Sequence, residues 1–97
     1  MKKIRNIEEE IVSPKTATLA RSIGFEKCNM TQSLLQKYLR EVEEIHIGIE
    51  IRETGYKWYF KYDHNRSRIA SYDKPFSTYE KALEDALQEA LNIVKSE

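Results

Sequence analysis

One cysteine, two prolines and three glycines are the only cross-linking and punctuating residues in this chain of 97. A lone thiol, Cys28, closes no internal disulfide, so the small stapled scaffold of secreted proteins is not expected. Long apolar runs are missing too. The longest, Trp58-Tyr59-Phe60, is far short of a membrane span or the apolar centre of a signal peptide. The start, Met1-Lys2-Lys3-Ile4-Arg5, is basic with nothing apolar behind it, which points to the cytoplasm of a prokaryote or of its host. An excess of one charge is also lacking. Sixteen basic and sixteen acidic side chains cancel, which argues against a whole-molecule polyanion binder and leaves local patches open.

Residues 1–10 read as a charged N-terminal arm, and 11–97 as one domain. Ser13-Pro14 starts a helix: serine caps free amides, and proline suits the first helical position. Leu19, Ala20 and Ile23 then share a face, and Gly24-Phe25 is the matching stop, so the first helix is expected over 14–23. Asn29 or Thr31 caps a second helix over 31–43, with Leu34, Leu35, Tyr38, Leu39 and Val42 inward. Gln32, Ser33, Gln36, Lys37, Arg40 and Glu41 fall on its opposite side.

At Glu44 the period switches from helical to alternating. Ile45, Ile47, Ile49 and Ile51 point one way and His46, Gly48, Glu50 and Arg52 the other, as in a strand with one buried face. Glu53-Thr54-Gly55 turns the chain, and Tyr56 to Tyr62 returns as the second strand of a hairpin. Trp58, Phe60 and Tyr62 join the isoleucine face, leaving Lys57, Tyr59 and Lys61 outside. A polar loop, 63–67, precedes a third strand, Arg68 to Tyr72. Ser77-Thr78-Tyr79-Glu80 reads as a capping box for a last helix with the stripe Tyr79, Ala82, Leu83, Ala86, Leu87, Ala90, Leu91 and Val94. Glu84, Asp85, Gln88, Glu89 and Asn92 lie away from that stripe. The expected fold is α+β, in the order α-α-β-β-β-α. A three-stranded antiparallel meander carries the two N-terminal helices and the long C-terminal helix.

Thr31-Gln32-Ser33-Leu34-Leu35-Gln36-Lys37-Tyr38-Leu39-Arg40-Glu41 and Phe76-Ser77-Thr78-Tyr79-Glu80-Lys81-Ala82-Leu83-Glu84 stand out as a pair. Together with Ser13 to Ala20 and Gly24-Phe25, they resemble a family of small uncharacterised proteins of bacteriophages and mobile elements of gut bacteria. The resemblance covers most of residues 11–94. Members of that family often carry tryptophan where Tyr38 stands and a longer loop where residues 26–30 stand, so this chain departs from the pattern there. The resemblance implies a genomic setting and no mechanism.

Candidate chemistry is thin. His46 falls mid-strand on the outer face, His64 lies beside Asp63 and Asn65, and Cys28 has only Glu26 and Lys27 next to it. A triad or a zinc site needs several donors converging, and no spaced set is present, so no catalytic, metal or cofactor residue is assigned. Lys57 to Lys74 is different. It holds five basic and two acidic residues interleaved with aromatics, the mixture nucleic-acid-binding sheets use. Lys57, Tyr59, Lys61, Arg66, Arg68 and Tyr72 are therefore the candidate contacts, for a partner protein or a nucleic acid. Lysine-rich strands also guard sheet edges against aggregation. A helix-turn-helix over Ala17 to the second helix, with the hairpin as its wing, is a further nucleic-acid reading, although its connection is long. Together with the resemblance, the residues favour a non-enzymatic phage or mobile-element accessory protein acting by protein–protein interaction, with itself or another protein, and no membrane partner. Nucleic-acid binding is the alternative.

Overall fold

The structure, a computed structural model, describes residues 10–27, 30–62, 68–70 and 75–96; the side chains at positions 62 and 68–70 lie outside that description. Most of the charged arm, Cys28, the polar loop 63–67 with His64, and positions 71–72 also fall outside the described residues.

The fold is α+β, with three helices and an antiparallel sheet among the described residues. The first helix, α1 (Pro14–Ser22), begins where serine and proline place it. Ser13 is the cap, and its hydroxyl accepts the Thr16 amide at 3.2 Å. Its end is a Schellman turn. Gly24 takes φ +97°, the Gly24 amide donates to the Arg21 carbonyl, and the Phe25 amide reaches back to Ala20 at 3.0 Å. The second helix, α2 (Gln32–Val42), is capped by Thr31, which accepts the Leu34 amide at 3.2 Å. Ahead of both helices the chain is laddered to itself: Val12 donates to Met30 and Gln32 to Glu10, bridging Ile11 and Thr31.

Strands β1 (Ile45–Arg52) and β2 (Gly55–Tyr62) pair along their whole length about the turn Glu53–Thr54. Arg68–Ala70 registers against Tyr59–Lys61 on the other side of β2. Further along that edge, Tyr56 and Phe76 exchange two backbone hydrogen bonds, at 2.9 and 2.8 Å. Gly55, at φ +140°, permits this approach, because a Cβ there would stand 2.6 Å from the Phe76 carbonyl oxygen. The last helix, α3 (Tyr79–Ser96), has 18 residues and so runs ~27 Å, about the length of an eight-residue strand. Among the described residues no helix is long and apolar enough to cross a membrane.

The core lies between the helices and one face of the sheet. Leu35 and Leu39 of α2, Ile45, Trp58 and Phe60 of the hairpin, and Leu83, Leu87 and Leu91 of α3 are all buried there. Trp58 stacks on Phe60 with ring centroids 4.6 Å apart, and its indole N–H donates to the Asp85 carboxylate at 2.7 Å. Asp85, expected to lie away from the stripe, therefore satisfies the one polar atom of a buried tryptophan.

Four apolar side chains expected inside are exposed: Leu34, Val42, Ile51 and Tyr79. Helix α2 is rotated so that Gln32, Leu35 and Leu39 are its buried residues, which turns Leu34 and Val42 toward solvent. Ile51 sits at the hairpin's tip and Tyr79 at the first position of α3, where it meets Tyr56 edge to face at 6.4 Å. The capping box is also corrected. Thr78, not Ser77, accepts the first-turn amide, from Lys81 at 3.1 Å, while the Ser77 hydroxyl meets the Lys81 ammonium.

Candidate interaction surface

Pairing of β1 with β2 decides what the outer face of the sheet presents. Register partners share a face, so His46 stands opposite Lys61, Gly48 opposite Tyr59, and Glu50 opposite Lys57, with Arg52 completing the β1 row. The helices pack on the other face, where Ile45, Trp58 and Phe60 are buried. On the outer face Lys61 is exposed, and His46, Gly48, Glu50, Lys57 and Tyr59 are half-buried.

Gly48 has no side chain, and the far end of the Tyr59 ring occupies the place where a Cβ on Gly48 would stand. A side chain at position 48 would push the ring away. Its absence lets an aromatic lie down across the strand pair as a broad apolar surface. Charge of both signs surrounds it. Lys57 and Lys61 flank Tyr59 on β2, and on β1 the Arg52 guanidinium donates to one Glu50 oxygen from Nη2 at 2.7 Å and from Nε at 3.2 Å.

Three of the six residues expected to make contact, Lys57, Tyr59 and Lys61, thus lie together on one strand face. Arg68 stands at the register position opposite Lys61, and Arg66 and Tyr72 lie outside the described residues. The β1 half of the surface, Gly48, Glu50 and Arg52, was readable from the alternation but carries no basic–aromatic signal of its own.

A second polar cluster lies on the helical side. Glu84, in the second turn of α3, accepts hydrogen bonds from the Ser13 amide (2.9 Å), the Thr16 hydroxyl, and the Gln32 side-chain amide (2.9 Å). Gln32 also donates to the Glu80 carbonyl, and Gln88 donates to Thr16 at 3.0 Å. Partial burial works to raise the Glu84 pKa, but donation from Thr16, Gln32 and Ser13 outweighs it and holds the carboxyl below its ordinary range. A carboxylate so engaged is an anchor between three helices. It is poorly suited to take up a proton as a general base. Gln32, expected on the solvent side of α2, is buried because its amide completes this cluster.

Cavities lined by described residues border the helices. One of about 280 Å³ touches the cluster and is lined by Glu10, Ser13, Gln32, Glu80, Lys81 and Glu84 among others. Another, of about 390 Å³, lies between α1 and the segment around Met30. The chain matches no protein-family model, no curated protein and no solved structure.

Proposed function

We propose that this chain is a non-enzymatic accessory protein of the phage and mobile-element kind its quoted stretches resemble. It works in the cytoplasm by binding a protein through the outer face of its sheet. The sheet is taken as a three-stranded meander in the order α-α-β-β-β-α, with Arg68–Ala70 continuing the outer face beyond β2. The observation that carries the reading is the Tyr59 ring lying across Gly48 within a ring of mixed charge. Interfaces between proteins are enriched in tyrosine and arginine at the anchoring positions, with polar groups around them. A surface whose cations face a carboxylate suits a partner carrying both signs better than a polyanion.

Nucleic-acid binding is the second reading, favoured by Lys57, Tyr59 and Lys61 alternating on one strand face. It uses the sheet rather than α2, whose first residue, Gln32, is buried against α3. Affinity capture from the native host, with and without nuclease, separates the two. The protein reading expects a nuclease-resistant polypeptide lost on Tyr59→Ala. The second reading expects nucleic acid, released steeply by salt as phosphate counterions return. Capture of nucleic acid alone overturns the proposal.

A further inference from the structure

The cavity of about 390 Å³ beside α1 has a composition of its own. Val12, Ala17 and Met30, all buried, form an apolar floor, and Ile11, more than half exposed, forms one lip. Its lining also includes two cations, Arg21, in the last turn of α1, and Lys27; both are exposed. Among the described residues no carboxylate lines the cavity, and neither Arg21 nor Lys27 forms an ion pair with one. The volume is within the range of pockets that take ligands. It is bounded by a helix on one side and the laddered segment Glu10–Val12 on the other.

From this juxtaposition of an apolar floor and two exposed cations, we infer that the groove beside α1 binds an acidic, apolar segment of a partner protein. An apolar side chain of the segment sits over Val12, Ala17 and Met30, and a neighbouring carboxylate meets Arg21 and Lys27. Apolar burial supplies the affinity, and the cations set direction and exclude basic segments. The groove is remote in sequence from the Tyr59 surface, and this inference stands or falls independently of that one.

The test is selection of peptides from a randomised displayed library on the full chain. Recovered peptides are then titrated against the wild type, an Arg21→Glu/Lys27→Glu double variant, Thr18→Trp and Tyr59→Ala. Thr18 is exposed and lines the groove, so tryptophan there fills it. The expected peptides join an aliphatic or aromatic residue to aspartate or glutamate. Their binding is weakened about tenfold or more by charge reversal and by Thr18→Trp, and left unchanged by Tyr59→Ala. Absence of enrichment, enrichment of basic or uncharged peptides, or equal binding to the charge-reversed variant overturns the inference. Both charge positions are exposed, so that variant remains decisive where Thr18→Trp disturbs the fold.

Discussion

Tyr59 lies across Gly48, its partner on the neighbouring strand, and the ring takes the space a side chain at position 48 would need. Glycine inside a strand ordinarily weakens it, and an aromatic laid over it covers the exposed backbone. Gly48→Val should therefore displace the ring while changing stability by no more than about 1 kcal/mol, because valine suits a strand. Partner capture should fall together with loss of the ring-current shift on the residue 48 α-proton, with the urea midpoint nearly unmoved.

Leu87 is wholly buried in the middle of the α3 stripe. Leu87→Ala should cost about 2–5 kcal/mol, a large share of a small domain's stability. Val42→Ala, at a position 59% exposed, should change it by less than about 0.5 kcal/mol. Chemical denaturation of the two variants side by side checks how α2 is rotated as well as how α3 packs.

The start of α3 gives a sharper comparison. Thr78→Ala removes the acceptor for the Lys81 amide and should cost about 0.5–2 kcal/mol. Ser77→Ala should change stability by less than about 0.5 kcal/mol, since its hydroxyl meets only the exposed Lys81 ammonium. Equal losses would restore Ser77 as the cap.

Glu84 links stability to pH. Its folded pKa lies below the ordinary value of 4.5, so its contribution is fully present above that value and is lost as pH falls through the lower, folded one. Glu84→Gln should destabilise the protein at neutral pH, and the gap between wild type and variant should close in acid. Thr16→Val, at a fully buried position, leaves Glu84 and Gln88 each short of a partner and should cost about 1–3 kcal/mol. Urea midpoints followed from neutral to acid pH measure both effects.

Local signals were legible in the sequence wherever the physics is local. Ser13-Pro14 and Gly24-Phe25 bound α1 because caps and Schellman turns involve residues within one turn of each other. The isoleucine alternation of β1 likewise states its own inward face. What escaped depends on distant partners. Gln32 reads as a solvent residue until the Glu80 carbonyl and the Glu84 carboxylate, 48 and 52 positions away, meet its amide. The same cluster rotates α2 and exposes Leu34 and Val42, which the helical period alone had placed inside. Phe76 pairs with Tyr56 through backbone groups that leave no trace in side-chain pattern. For the candidate surface, alternation marks Lys57, Tyr59 and Lys61, whereas Gly48 becomes the seat of the ring only once the two-residue turn fixes the hairpin register.

Site-specific photo-crosslinking reads directly what touches the Tyr59 surface. A photoreactive amino acid at Lys61, exposed beside Tyr59, is compared in the native host with one at Glu89 on the solvent side of α3. A protein partner on this face gives a discrete protein adduct at position 61 that resists nuclease, disappears on Gly48→Val, and is absent from position 89. Adducts to nucleic acid at position 61, or the same protein adducts from both positions, would contradict a protein partner there.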